Sequence, residues 1–222
     1  MTASAANAVP DAIKGAELPN PVQSAARDAR RQSILAIARE VFLREGYAAT
    51  SMSAIAAKVG GSKGTLYNYF PSKEALFAAV VQHQCAQDQA ELWDMNLETD
   101  NVAETMTLLG RRVLKLMLSD EVLAIHRLVV AECTRFPEIG EALYDAGPRQ
   151  GKRPLIRYMT HCIEKGLLKG DDPERMAFQA GELVMAGLYR RRLWNVGPAP
   201  TEAEMEANVQ AAVRVFMAAY GV

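Results

Sequence analysis

Residues Thr50 to Lys73 read TSMSAIAAKVGGSKGTLYNYFPSK, and the fold turns on how that stretch divides. Thr50 and Ser51 carry hydroxyls of the kind that accept hydrogen bonds from the free N–H groups at a helix start. They predict a short helix with Met52, Ile55, Ala56 and Val59 on its apolar face. Gly60 and Gly61 end it, and Ser62 caps a second short helix with Leu66, Tyr69 and Phe70 turned inward. Pro71 stops that helix, and Ser72 opens a longer one through Leu76, Phe77, Val80 and Val81. Two short helices joined by a glycine-containing turn have the layout of a helix-turn-helix, whose second helix fits the major groove of DNA.

The outward side chains suit that use. Lys63, Thr65, Tyr67 and Asn68 carry cationic and hydrogen-bonding groups for phosphates and base edges. Ser62 and the exposed N–H groups of its helix start favour an anion, and Gly64 lets the backbone come close. Thr50, Ser51 and Tyr69 border the same surface, while Arg27, Arg30, Arg31 and Lys73 are expected to add phosphate contacts from the flanking helices.

Charge supports this division. Residues 27–83 hold eight Lys or Arg against four acids, a net +4, whereas residues 84–222 hold sixteen against twenty, a net −4. A basic first third joined to an acidic remainder points to a polyanionic partner.

Further out, Ile34, Ile37, Ala38, Val41 and Phe42 recur at helical spacing, so a helix is expected from about Ala25 to Glu45, with Gly46 as its left-handed stop. Residues 1–24 have three prolines and no sustained apolar period, and are expected to form a mobile tail. That stretch also lacks the apolar core of a secretory signal, and every apolar run stops well short of the roughly 18 residues that span a bilayer. The expectation is a cytoplasmic chain with no membrane partner.

Beyond Trp93, helices are expected from about Val102 to Leu118, from Asp120 to Arg135, and from Pro137 or Pro154 to Leu168. Asp172 before Pro173 marks another helix start, with that helix running to about Asn195. Thr201 with Glu204 forms a capping box for the last helix, to about Tyr220. The fold class is therefore all-α, with nine or ten helices and no sheet.

With these residues in view, the chain resembles the TetR family of bacterial transcriptional regulators. The resemblance is carried by Phe42 and Gly46, Thr50 and Ser51, Ile55 and Ala56, Gly60, Ser62 to Tyr67, Tyr69 and Phe70, and Ser72 to Leu76. Gly61 departs from it, standing where the family more often has a small apolar residue. Val122 to Gln150, with Arg127 to Glu132 and Phe136-Pro137-Glu138, is similar to the AefR-like branch. The resemblance implies a ligand-responsive regulator, most often a repressor. It implies a helix-turn-helix DNA-binding domain over residues 25–72, and an effector-binding and dimerisation domain over residues 73–222. It further implies a homodimer on palindromic double-stranded DNA, released by a small hydrophobic or amphipathic effector, with no other cofactor.

Met176, Ala180, Leu183, Gly187, Val209, Val213 and Phe216 follow helical spacing that suits either an intrachain core or a four-helix interface between subunits. The resemblance selects the interface. Trp93, Met117, Tyr158, His161 and Met185 combine polar-tipped rings with adaptable methionines and are the expected effector contacts. Arg190, Arg191 and Arg192 suit a solvated face or subunit salt bridges.

Other chemistries fit poorly. Gly60-Gly61-Ser62-Lys63-Gly64 matches the G-x-S-x-G elbow of hydrolases, but a helix precedes it where the elbow needs a strand. Gly64 is followed by Thr65, so no phosphate-binding P-loop forms. His83 with Cys85, and His161 with Cys162, lack metal-ligand spacing, and three separated cysteines suggest reduced thiols. No metal and no catalytic residue is expected. The competing reading is an all-helical adaptor whose basic surface docks an acidic protein.

Overall fold

The computed structural model describes residues 21–95, 97 and 99–222, with side chains from residue 24 onward. Most of the expected tail, residues 1–20, lies outside the described residues. Its last four residues belong to the first helix, which begins at Pro21 rather than Ala25. Among the described residues there are eleven α-helices, and the one β contact is an isolated bridge between Leu168 and Gly221.

The N-terminal three helices are α1 (Pro21–Glu45), α2 (Met52–Val59) and α3 (Lys63–Tyr69). Hydroxyls fix the starts of the second and third. Ser51 Oγ accepts from Ala54 N at 3.2 Å, and Ser62 Oγ accepts from Thr65 N at 3.1 Å. Ser72 does the same for α4 (Lys73–Leu92), accepting from Ala75 N at 3.1 Å.

After α4 come α5 (Val102–Met117), α6 (Asp120–Glu132) and α7 (Pro137–Tyr144). The single long helix expected from Pro137 or Pro154 is two helices. Pro148, which has no N–H to continue the ladder, sits in a π-helical turn, Asp145–Arg149, before α8 (Arg153–Glu164).

The helix expected from Pro173 to Asn195 is also broken. Gly187 adopts φ 76°, a left-handed conformation open mainly to glycine, which separates α9 (Pro173–Met185) from α10 (Leu188–Leu193). The capping box at Thr201 and Glu204 opens α11 (Glu202–Tyr220), with both of its hydrogen bonds present.

Two apolar cores organise these helices. The first gathers Ile34, Phe42, Tyr47, Ile55, Leu66 and Phe77 together with Ile125, Val129 and Ile139. It crosses the division expected between residues 72 and 73, because α4, α6 and α7 pack beneath the helix-turn-helix. The second joins α5, α8, α9 and α11 through residues such as Leu109, Met159, Met176, Val209 and Phe216.

That second core takes in most of the residues expected at the subunit interface. Met176, Ala180, Val209, Val213 and Phe216 are at most 7% exposed within one chain, so periodicity marked an intrachain core. Of the seven, Leu183 and Gly187 retain surface.

Candidate DNA-binding surface and ligand cavity

α3 presents one polar face. Leu66 and Phe70 are buried and anchor it, leaving Lys63, Gly64, Thr65, Tyr67 and Asn68 exposed. Ser62 Oγ also lies 2.9 Å from Thr65 Oγ1, which holds both hydroxyls at the helix start. The Lys63 ammonium sits over the Tyr67 ring, 5.8 Å from its centroid. The exposed Arg27 and half-buried Arg31 lie over the rings of Tyr69 and Phe70 respectively, bringing α1's cations to the end of α3.

Three residues expected at the DNA have other work. Thr50 is buried and its hydroxyl donates to the Gly46 carbonyl at 2.7 Å, closing the turn between α1 and α2. Arg30 donates through Nη2 to the Val59 carbonyl at 3.0 Å, bracing the end of α2. Lys73 Nζ donates to the Tyr47 carbonyl at 2.9 Å and lies over the rings of Tyr47 and Phe136. The first has no surface for a phosphate, and the other two spend donors inside the chain.

Arg30 also explains Gly61. A Cβ at residue 61 would stand 3.3 Å from Arg30 Nη2, so glycine leaves room for the guanidinium beneath the turn.

The rear of the helix-turn-helix is docked at Tyr47. Its ring packs on Phe42, Phe77 and Phe136, with centroids 5.7, 5.2 and 5.0 Å away. Its hydroxyl donates to Glu138 Oε1 at 3.4 Å, and Glu132 Oε1 accepts from Ala48 N at 3.1 Å. Burial, with the charges of Glu74 and Glu138, pushes the Tyr47 phenol well above its ordinary value, so it remains a donor. Sequence reasoning missed this dock because Glu132 and Glu138 lie more than 80 residues from Tyr47.

Between the two cores lies a cavity of about 500 Å³, within the range of small-molecule sites. Its wall draws on α4 through α10 and the π-helical turn. Trp93, Met117 and Met185 line it. Tyr158 and His161 do not: Tyr158 is buried in the second core with its hydroxyl toward Thr99 O, and His161 is exposed to solvent.

The polar groups on the wall carry no local sequence signal. Gln84 Nε2 donates to Asp88 Oδ1 at 2.9 Å, and Gln89 Nε2 donates to the Ala146 carbonyl in the π-helical turn at 2.7 Å. Burial raises the Asp88 carboxyl, and together with Asp88 it lifts the Cys85 thiol to about 11, keeping that thiol protonated. His126 Nδ1 and Tyr189 Oη are 2.6 Å apart, and burial lowers the imidazole. The indole N–H of Trp93 is buried without an acceptor among the described residues, and an unmet buried donor costs about 1–3 kcal/mol.

Of the arginine run, Arg192 pairs with Asp120 at 2.8 Å within the chain, and Arg190 stands on the cavity wall. Among the described residues no group of three His, Cys, Asp or Glu could hold a metal. Nor is any described helix long and apolar enough to cross a membrane.

The fold and surface define a helix-turn-helix DNA-binding protein carrying a helical, cavity-bearing second half. Residues 34–80 match bacterial regulatory proteins of the tetR family, and residues 104–222, over half of the chain, match the AefR-like transcriptional repressor C-terminal domain. The chain belongs to the TetR family of DNA-binding transcriptional regulators.

The DNA-binding transcriptional repressor TetR of Mycobacteroides abscessus is 30% identical over 156 residues, covering 70% of this chain and 71% of its own. Among solved structures, the flavonoid-responsive regulator FrrA is similar at TM-score 0.78 and 30% identity, over 87% of this chain and 98% of its own. A TetR-family regulator from Mesorhizobium loti also reaches TM-score 0.78 at 27% identity, over 88% and 98%. These relatives are named as transcriptional regulators, which are not enzymes.

Proposed function

We propose that this chain is a homodimeric repressor that leaves a palindromic operator when a small hydrophobic or amphipathic effector enters the cavity. In this reading residues 25–72 bind DNA and residues 73–222 bind the effector and the second subunit. The observation that carries it is the course of α4. Its first half packs under the helix-turn-helix through Leu76, Phe77 and Val80, and its second half supplies Cys85, Asp88 and Gln89 to the cavity wall, with Trp93 at its end. A ligand that fits better when α4 has shifted favours the arrangement in which the two recognition helices no longer match successive major grooves.

Lys63 and Arg27 with Arg31 would neutralise phosphates, while Thr65, Tyr67 and Asn68 would read base edges. The second subunit would meet the exposed apolar strip of α9 and α11, where Leu183, Ala186, Val215 and Ala219 border a shallow groove. FrrA's name makes an aromatic effector the first class to screen for this fold.

Selection of bound sequences from a random duplex pool, followed by titration of the winner at two salt concentrations, tests the reading. Enrichment of one palindrome, bound by two chains with a steep salt dependence, is the expected result. Weak binding without enrichment would overturn it and favour an adaptor.

A further inference from the structure

We infer that the cavity takes an apolar molecule bearing one acidic oxygen, a carboxylate or an acidic phenol, and that this oxygen is received by Lys152. The inference rests on the effector reading above and specifies its chemistry.

Tyr144, Glu182 and Arg190 on the wall are exposed to solvent, and among its half-buried polar groups most are already matched. Gln84 is spent on Asp88, Gln89 on the Ala146 carbonyl, and His126 on Tyr189. Two donors are not. Trp93 Nε1 is buried with no acceptor among the described residues. Lys152 Nζ stands over the ring of Phe178, 3.7 Å from its centroid, with no hydrogen-bonded oxygen among the described residues. Both unmatched groups give protons rather than accept them, so the complement they lack is an acceptor.

Charge makes the same selection. Lys152 is partly desolvated, which disfavours its ammonium, and Glu182 assists it only at a distance. An oxyanion placed on Nζ would restore what burial removes. A cationic ligand would instead need Asp88, whose carboxyl is occupied by Gln84 and inclined by burial toward its neutral form, or Glu182, which is exposed at the rim where water screens its charge. The rest of the ligand would lie on Leu92, Leu109, Val113, Met117 and Met185, which offer contact without polar demands.

Three probes sharing one ring system isolate the charge: 2-naphthoate, 2-naphthamide and 2-naphthylmethylammonium, each titrated calorimetrically into the full chain. The expected result is naphthoate binding about tenfold or more tightly than the amide, with the ammonium weakest. In Lys152→Gln the preference for naphthoate over the amide should fall below about threefold. The wild-type series stands even if that variant folds poorly.

If the amide or the ammonium matches naphthoate in the wild-type chain, or Lys152→Gln keeps the full preference, the chemistry assigned to Lys152 is wrong while the effector reading stands. If none of the three binds, the chemistry assigned to Lys152 is overturned, whereas the effector reading is overturned only by operator DNA that no small hydrophobic or amphipathic molecule releases.

Discussion

The face of α3 and the wall of the cavity are built by opposite means. α3 is a seven-residue helix whose start is fixed by one serine and whose back is held by Leu66 and Phe70, so its polar side chains are aimed by near neighbours in sequence. The cavity gathers residues from Val81 to Arg190, and each faces inward because distant helices meet there. Recognition of a long, charged polymer needs outward donors on a rigid turn. Capture of a small apolar molecule needs a seam between two cores.

The most damaging change to this arrangement strikes what joins the regions. Tyr47→Ala should cost about 3–4 kcal/mol in denaturant unfolding by emptying the aromatic cluster between α1, α4 and α7. Tyr47→Phe, which keeps the ring and removes the long bond to Glu138, should cost under about 1 kcal/mol. Equal costs would mean that the hydroxyl and not the ring holds the dock.

Next in size are changes on the DNA side. Asn68→Ala should alter the relative affinity for operator variants by about 1–3 kcal/mol, read by competition titration. Lys63→Ala should weaken binding to all duplexes and lower the salt slope by about one for each subunit on the DNA. Lys73→Ala should behave differently. It should cost about 1–2 kcal/mol of folding stability, through the Tyr47 carbonyl and the two rings, and leave the salt slope in place. A Lys73 variant that flattens the slope would return that residue to the DNA surface.

On the cavity side, burial lowers His126 from its ordinary 6.5. Below that value the unfolded chain takes up the proton first, so this contribution to stability is complete above about pH 6.5 and is lost as pH falls toward the folded value. Between about pH 7.5 and 5.5 the wild-type Tm should drop by about 2–4 °C more than that of His126→Gln. Parallel pH profiles would show the imidazole to be solvated.

The smallest effect is expected at Gly61→Ala, about 0.5–1 kcal/mol by thermal unfolding, as the Arg30 guanidinium gives way at 3.3 Å.

What could be read from sequence follows the same contrast. Ser51, Ser62 and Ser72 act within three residues, so the caps, the short turns and the outward face of α3 were all legible. Periodicity found the apolar faces of α9 and α11 but could not tell whether the opposing face belonged to the same chain, and Met176, Val209 and Phe216 are core. Tyr158 and Met117 are both residue types suited to pockets, yet helix rotation sends one into the second core and the other to the cavity. Asp88, His126, Lys152 and Tyr189 carried no local signal, because their setting exists only once α4, α6, α8 and α10 are packed. Lys73 and Arg30 had the right charge for phosphate, and tertiary acceptors at Tyr47 and Val59 claimed them.

The central claim is that α3 reads DNA from the major groove, once per subunit. Methylation interference on the selected operator tests it most directly, because a methyl group on guanine N7 blocks that groove. The expected result is two interfering clusters related by the palindrome, their centres about 34–36 Å or a multiple of that apart. Interference confined to the minor groove, or a single unpaired cluster, would contradict it.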